Sequence, residues 1–176
     1  MKKLGPTDLK RLHREWARRS TGRVSLLLDG VSSPFNVGSI VRTAAAFKVE
    51  HLYLAGGTTS PGAARAGKTA LGTERYLSWS TFDRGADAAD AAREDGFAVV
   101  GLELADHAVP LFQLSVGPDA CIAIGNEDHG LAAGTLAACD AVAFIPQLGR
   151  VGSLNVATAA AIALFEVRRR DWAGSW

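Results

Sequence analysis

Short apolar runs alternate along the chain with amphipathic stretches that have helical spacing. A continuous run such as VSLLL, which ends at the turn residues Asp29-Gly30, is typical of a strand buried on both faces. The predicted strands are Val24–Leu28, His51–Ala55, Tyr76–Trp79, Phe97–Leu104, Ala120–Ile124 and Ala141–Ile145. The predicted helices are Asn36–Phe47, Asp87–Asp95 and Ser153–Arg170, with Gly62–Ala70 either a loop or a short helix. This alternation predicts an α/β fold with a mostly parallel sheet that carries helices on both faces.

The first 23 residues differ in charge from the rest of the chain. They carry eight Lys and Arg residues against two acidic ones, a net charge of +6, whereas the remainder holds 11 basic and 16 acidic residues. Leu9, Leu12 and Trp16 recur at helical spacing, which predicts an amphipathic helix. Such a basic helix favours contact with a polyanion, although a solvated surface helix has the same pattern. We therefore divide the chain into a basic N-terminal helical extension, residues 1–23, and one domain, residues 24–176.

Composition narrows the class of protein. The 176 residues suffice for one compact domain, and 48% hydrophobic with 21% charged residues is ordinary for a globular chain. No apolar run approaches the roughly 18 residues of a membrane span, and the N-terminus has no secretory pattern. The two cysteines make no disulfide framework, and the four scattered histidines have no metal-ligand spacing. We expect a cytoplasmic protein without a membrane anchor or a bound metal.

Residues 62–69, GAARAGKT, match the phosphate-loop pattern G-x-x-x-x-G-K-[ST]. In such a loop, backbone N–H groups and Lys68 would hold a triphosphate and Thr69 would bind magnesium. The context opposes this function, because six residues separate the motif from the preceding strand and Gly72 interrupts the helix that should follow. We favour a basic surface loop in which Arg65 and Lys68 contact nucleic acid. A nucleotide hydrolase is the alternative.

Three polar segments follow predicted strands, at the sheet edge where open parallel sheets bind their ligands. The first contains Asn36 and Arg42, six residues apart near the start of a helix. The second, GNEDHG, begins with Gly125, which would let a ligand approach the backbone closely. The third ends at Asn155, a poor helix former placed in the first turn of the last helix. Structural roles are also open: helix caps for Asn36 and Ser153, a surface position for Arg42 and an ordinary turn for the second segment.

Together these segments resemble the three motifs of the SpoU (TrmH) family of RNA methyltransferases in the SPOUT superfamily. The first matches the pattern N-x-G-x-x-x-R, the second matches G-x-E-x-x-G, and the third has I-P followed by S-L-N-V. The matching residues are Asn36, Gly38 and Arg42; Gly125, Glu127 and Gly130; and Ile145, Pro146, Ser153, Leu154, Asn155 and Val156. The likeness extends over residues 24–168, and the three motifs in this order are far more specific than any one of them.

The resemblance implies a fold and a cofactor that the residue pattern alone does not. The parallel sheet would end in a C-terminal segment threaded through a loop, which makes a trefoil knot. The cofactor would be S-adenosylmethionine, held by the loops at Gly125, Ile145 and Leu154, with Leu102 as a further contact. The family also implies a homodimer with the site at the subunit interface, where Arg42 would serve the partner's cofactor.

The resemblance further implies methylation of a ribose 2′-hydroxyl in RNA, with tRNA favoured over rRNA. Because a guanidinium stays protonated, we assign Arg42 to the substrate phosphate and the developing alkoxide. Asn36 would orient Arg42 or the ribose, while Glu127, Ser153 and Asn155 would hold the guanidinium and the substrate. Sequence-independent RNA contacts would come from the basic side chains of the extension: Lys10, Arg11, Arg14, Arg18 and Arg19.

One residue departs from the family pattern. Many relatives have glycine directly after the motif glutamate, whereas this chain has Asp128, whose negative charge opposes an RNA contact there. A second alternative is a non-catalytic RNA-binding protein on the same scaffold. The five candidate catalytic side chains weigh against it, because a scaffold without turnover has no need of them all.

Overall fold

The computed structural model describes residues 1–174 and is built around one sheet. Within these residues, seven strands stand in the order β3-β2-β1-β6-β4-β7-β5, and every neighbouring pair is parallel. The strands are β1 Val24–Asp29, β2 His51–Ala55, β3 Ser78–Thr81, β4 Ala98–Leu102, β5 Val109–Pro110, β6 Ala120–Ile124 and β7 Ala141–Phe144. The helices are α1 Pro6–Arg19, α2 Pro34–Ala46, α3 Ala64–Ala70, α4 Gly85–Glu94, α5 Ala133–Ala137 and α6 Val156–Ala173. These elements confirm the predicted α/β class.

Strand β1 explains why the sequence shows continuous apolar runs. It lies inside the sheet and is buried along its full length. Leu26 and Leu28 pack into the core that α2, α3 and α6 cover, whereas Leu27 packs on the other face with the alanines of α4. Successive side chains of a strand point to opposite faces, so both must be apolar when both faces carry helices.

Four strands differ from their predicted bounds, two of them by one residue: β1 ends at Asp29 instead of Leu28, and β7 ends at Phe144 instead of Ile145. β4 begins at Ala98 instead of Phe97 and ends at Leu102 instead of Leu104. The carboxylate of the next residue, Glu103, accepts hydrogen bonds from the N–H groups of Leu104 and Leu131. The expected strand 76–79 is shifted, since residues 73–76 form a 3₁₀ turn and β3 begins at Ser78. β3 is an exposed edge strand, where hydrophobic patterning is weakest.

The conformation of residues 62–70 contradicts the phosphate-loop hypothesis. Most of the motif is the short helix α3, which confirms the short-helix alternative for residues 62–70 over the surface loop. The N–H of Gly67 donates to the carbonyl of Ala63, and the N–H of Leu71 donates to the carbonyl of Gly67. Backbone N–H groups that a phosphate loop would direct at an anion are therefore used within the helix. The helix packs against α2.

The predicted N-terminal helix is present as α1, yet none of its residues is buried. Leu9, Leu12 and Trp16, which form its apolar face, keep 40%, 36% and 39% of their surface exposed. The helix meets the domain near its C-terminal end, where Trp16 packs edge-on against Trp172 with ring centroids 5.0 Å apart. Ser20 supports this contact by accepting a 2.9 Å hydrogen bond from Trp172 Nε1. Most of the apolar face of α1 is thus uncovered.

Within residues 1–174, none of the helices combines the length and the hydropathy that a membrane span requires. The same residues bring together no cluster of three or more His, Cys, Asp or Glu side chains able to hold a metal ion.

Candidate functional site

A cavity of about 350 Å³ opens at the carboxyl ends of β4, β6 and β7. Residues from the loops that leave these strands form most of its wall, which is the position expected for a ligand site in a parallel sheet. All four residues predicted to hold a cofactor line this cavity: Leu102, Gly125, Ile145 and Leu154. Glu127 and Ser153, two of the candidate catalytic residues, line it as well.

The second motif forms a tight turn that brings the chain back upon itself. Asn126 and Gly130 exchange backbone hydrogen bonds of 2.9 and 3.0 Å, and Asn126 Oδ1 accepts from the N–H groups of the next turn residues. A side chain at Gly125 would collide with the backbone of Gly130 and Leu131, and Gly130 itself has a φ of +69°. The chain itself therefore approaches Gly125 closely on the side where a side chain would stand, and Gly125 also lines the cavity.

Glu127 lies at the centre of a hydrogen-bonded network that joins the first two motifs. Its carboxylate accepts hydrogen bonds from the backbone N–H groups of Ser32 and Ser33, at 3.2 Å each, and from Asn36 Nδ2 at 2.9 Å. Partial burial would raise the pKa of Glu127, but these hydrogen bonds outweigh it, so the pKa lies below the usual value. The side chain is an ionised anchor for the loop that precedes α2.

The third motif joins the same network through a pair of side-chain amides. Asn155 Nδ2 donates a 3.0 Å hydrogen bond to Asn36 Oδ1. Asn155 Oδ1 accepts from the N–H groups of Ala157 and Thr158, so Asn155 is the N-cap of α6. The helix therefore begins three residues later than predicted, and Ser153 is an exposed residue of the preceding loop. The cap role considered for Ser153 was wrong.

Asn36 is not the N-cap of α2, which was one of the roles considered for it. The helix begins at Pro34, and Ser33 is its N-cap, with Ser33 Oγ accepting a 3.4 Å hydrogen bond from the N–H of Asn36. The Asn36 side chain is free of capping and is buried between Glu127 and Asn155. Three motifs that are far apart in sequence thus meet in one chain of hydrogen bonds.

Arg42 stands apart from this network. It lies on α2 but is exposed, and it does not line the cavity at the strand ends. Within residues 1–174 its guanidinium makes no hydrogen bond or ion pair. It lines a second cavity, between α1, α2 and α6. The structure brings Asn36, Glu127 and Asn155 together and places Arg42 elsewhere.

Two further residues of the cavity wall were not singled out from the sequence. Glu103 lines the cavity and fixes the start of the segment after the second motif by accepting from the N–H of Leu131. Gln147 lines the cavity with its Oε1 atom buried and without a hydrogen-bond partner among the described residues. Gln147 is a polar residue just beyond the predicted strand Ala141–Ile145, a signal that could have identified it, whereas Glu103 lies inside the predicted strand Phe97–Leu104 and gave no such signal.

Negative charge predominates in the wall of this cavity. Its wall includes the carboxylates of Glu103, Glu127 and Asp128, together with His129. No Lys or Arg side chain belongs to that wall in the part of the chain the structure describes. Asp128, the departure from the family pattern, is exposed at the rim. The cavity therefore favours a ligand that carries positive charge.

Parallel strands whose terminal loops enclose such a cavity define an α/β ligand-binding protein, and sequence comparison identifies the family. The model of the SpoU rRNA Methylase family matches residues 23–165. The chain belongs to this family.

Individual relatives agree with that assignment. The chain is 29% identical over 169 residues to the tRNA (guanosine(18)-2'-O)-methyltransferase of Escherichia coli. The aligned residues are 95% of this chain and 72% of that protein. The AdoMet-bound rRNA methyltransferase of Sinorhizobium meliloti has a similar structure, with a TM-score of 0.79 and 32% identity over 85% of this chain and 57% of that one. A TrmH-family protein of Staphylococcus saprophyticus is 29% identical over 85% of this chain, which spans 60% of its length.

Proposed function

We propose that this chain transfers a methyl group from S-adenosylmethionine to a ribose 2′-hydroxyl of RNA, with tRNA as the substrate. The observation that carries the proposal is the hydrogen-bonded chain Glu127–Asn36–Asn155, which takes one side chain from each family motif and reaches the cavity through Glu127. The AdoMet-bound relative supports the cofactor. The Escherichia coli relative, which aligns over 95% of this chain, supports 2′-O-methylation of tRNA.

The cavity fits S-adenosylmethionine in size, charge and hydrogen-bonding groups. Its volume of about 350 Å³ lies within the range of small-molecule sites, roughly 300–1,000 Å³. When bound, the cofactor supplies a methyl group on a positively charged sulfur. The carboxylates of Glu103 and Asp128 suit that charge, and the apolar side chains of Leu102 and Leu154 suit an aromatic base. The unpartnered Oε1 of Gln147 can accept a hydrogen bond from a hydroxyl or amino group.

Some side chains near the cavity hold one another in place, and others would contact the substrate. Glu127 holds the loop before α2 and the amide of Asn36, and Asn36 in turn holds Asn155. These three are positioning residues, since they act through one another. Ser153, exposed at the cavity, has a hydroxyl able to hydrogen-bond a ribose. Arg42 would bind the substrate phosphate and stabilise the developing alkoxide, because its guanidinium has five N–H donors and a permanent charge.

The position of Arg42 leads us to include a homodimer in the proposal. Since Arg42 does not line the cavity of its own chain, a second copy would have to supply the guanidinium. Exposed apolar side chains that a second copy could cover occur on α2, on α6 and in the loop between β7 and α6. They are Phe35, Leu148, Val151, Ile162 and Phe165. We also propose that this loop, residues 145–155, takes part in the trefoil knot, and that the protein acts on RNA in the cytoplasm.

A methyl-transfer assay tests the proposal. The protein is incubated with radiolabelled S-adenosylmethionine and either unmodified tRNA or unmodified rRNA, and the cofactor affinity is measured separately by calorimetry. We expect label as 2′-O-methylribose in tRNA. Arg42→Ala should lower transfer about a hundredfold or more and leave cofactor affinity unchanged, because one charged donor to the reacting oxygen is lost.

Arg84→Ala is the matched control, because Arg84 is an exposed arginine beside α4 on the opposite face of the sheet. It should transfer methyl groups at the rate of the unchanged protein. Label in rRNA alone would overturn the choice of tRNA. Failure to bind S-adenosylmethionine, or transfer to neither RNA, would overturn the proposed reaction.

A further inference from the structure

A second cavity, of about 710 Å³, lies between α1, the C-terminal part of α2 and α6. It is separate from the cavity at the strand ends and shares no lining residue with it. Its wall carries aromatic side chains from four different segments of the chain. These are Trp16, Phe47, Tyr76 and Trp172. We call this cavity the aromatic groove.

The charged side chains of the aromatic groove are basic. Its wall includes Arg42, Lys48 and Arg168, and no carboxylate within residues 1–174 belongs to it. Arg168 is buried and committed to the structure, since it donates to backbone carbonyls and pairs with Asp171. Arg42 and Lys48 are exposed instead, and no hydrogen bond or ion pair of their side chains occurs in the described part of the chain. The groove therefore offers two free cations to an anion.

Two of the aromatic rings are already stacked with arginine. The guanidinium of Arg19 lies 4.8 Å from the ring centroid of Trp16, and that of Arg75 lies 4.8 Å from the ring centroid of Tyr76. Arg75 also donates a 2.7 Å hydrogen bond to the Tyr76 hydroxyl. Tyr76 nevertheless keeps 65% of its surface exposed, and Trp16 keeps 39%. Exposed rings and guanidinium planes are the surfaces on which unpaired nucleic-acid bases stack.

We propose that the aromatic groove binds an unpaired nucleotide of the RNA substrate. The base stacks on Trp16 or Tyr76, and the adjoining phosphates pair with Arg42 and Lys48. The inference rests on the proposed function, because RNA is the substrate there, and it deepens it by placing a nucleotide next to Arg42. Only an unpaired base can reach the groove, since a base inside a duplex has both faces covered by its neighbours.

Charge decides between RNA and a second copy of this chain as the occupant. A second copy would have to bring carboxylates to neutralise Arg42 and Lys48, whereas a nucleotide brings a phosphate with every base. The five exposed apolar side chains named above for the homodimer do not line the groove. Phe165 packs edge-on against Phe47 and Trp172 of the groove wall, and Arg42 belongs to that wall, so the groove borders the proposed dimer contact.

Binding of a short RNA tests the inference. The probe is a fluorescein-labelled oligoadenylate of about eight nucleotides, a length within the span of single-stranded binding sites, followed by fluorescence anisotropy. Trp16→Ala and Tyr76→Ala should each weaken binding about tenfold, because one stacking surface is removed. Trp16→Phe and Tyr76→Phe should stay within about threefold of the unchanged protein, since a ring is kept.

Trp79→Ala is the matched control. Trp79 has 37% of its surface exposed, close to the 39% of Trp16, but it lies on the edge strand β3 and outside the groove. Its replacement should leave oligoadenylate affinity unchanged. Affinity for S-adenosylmethionine should be unchanged in every variant, which shows that each one is folded.

The outcomes separate this inference from the proposed function. Equal oligoadenylate affinity in the unchanged protein, Trp16→Ala and Tyr76→Ala, or no binding by any of them, would overturn the inference even if methyl transfer occurs. A groove-dependent affinity without methyl transfer would support the inference and overturn the proposed reaction. If Trp16→Ala instead shifts the monomer–dimer equilibrium in sedimentation and leaves RNA affinity unchanged, the occupant is a second copy and the inference fails.

Discussion

Asn36 shows why an amide, and no other side chain of similar size, suits the centre of this site. Its Nδ2 donates to the carboxylate of Glu127, and its Oδ1 accepts from the amide of Asn155. Aspartate would put a second carboxylate against Glu127, and leucine would leave Glu127 and Asn155 without their partner. The bridge requires a donor and an acceptor on the same buried group.

Gln147 gives a prediction at the residue scale. Gln147→Leu removes a buried acceptor that has no partner among the described residues, so the free energy of unfolding without cofactor should rise by about 1 kcal/mol. Affinity for S-adenosylmethionine should fall about fivefold to tenfold, because one hydrogen bond is lost. Urea denaturation and calorimetry measure the two effects, which have opposite signs.

The control for Gln147 is Gln113→Leu, at an exposed glutamine outside the cavity wall. It should change neither quantity by more than about 0.5 kcal/mol. Equal cofactor affinity in Gln147→Leu and the unchanged protein would contradict the role assigned to this side chain.

Helices α2 and α3 illustrate how an element can be held by a residue that looks functional in the sequence. Gly38 belongs to the first family motif, yet it faces α3 and not the cavity. A Cβ there would collide with the carbonyl of Ala66 and lie 2.7 Å from Thr69 Cβ. The two helices can approach this closely only because position 38 has no side chain.

Gly38→Ala and Gly67→Ala form a matched pair at the scale of these helices. We expect Gly38→Ala to lower the free energy of unfolding by about 1–3 kcal/mol, since backbone would have to move. Gly67→Ala should raise it by about 0.5–1 kcal/mol, because a Cβ there meets no described atom within 4 Å and alanine favours the helix. Thermal denaturation of both variants measures the difference. A loss of stability in Gly67→Ala would mean that α3 is not the helix described.

The first and last residues of an element could be predicted from the sequence where burial determines them. They could not be predicted where the hydrogen bonds of a single side chain determine them. β2 and β6 have the bounds expected from their apolar runs, and both lie inside the sheet. α5 and β5 were not predicted, because five and two residues are too short to show a periodicity. The start of α6 was misplaced by three residues, because the hydrogen bonds of Asn155 fix it and a hydrophobic pattern does not record them.

Charge is distributed unevenly over the whole molecule, with carboxylates around the strand-end cavity and basic side chains on α1 and in the aromatic groove. The sequence predicted which residues meet at the strand ends, because chain order and the parallel sheet bring them there. The pattern of hydrophobic and polar positions could not predict where Arg42 lies. Two positions six residues apart on a helix can face different cavities, and only the packing of α1 and α6 decides which.

The charge on α1 gives a prediction for the whole molecule. Replacing Arg11, Arg14 and Arg18 together with Gln should weaken tRNA binding at low salt and make its salt dependence shallower, because each lost phosphate contact removes about 0.7–0.9 from the slope of log K against log salt. Cofactor affinity should not change. Anisotropy titrations at several salt concentrations measure the slope, and an unaltered slope would show that α1 does not contact the phosphates.

The weak attachment of α1 to the domain affects the net free energy of RNA binding. A helix of 14 residues is marginally stable in water by itself, and α1 has no buried residue to supply the missing free energy. Its helical state is held by the contact of Trp16 with Trp172 and by local charge pairs such as Arg19 with Glu15. We therefore expect the amide hydrogens of α1 to exchange with solvent far faster than those of α6. Part of the free energy of RNA binding would then be spent on ordering the most basic helix of the molecule.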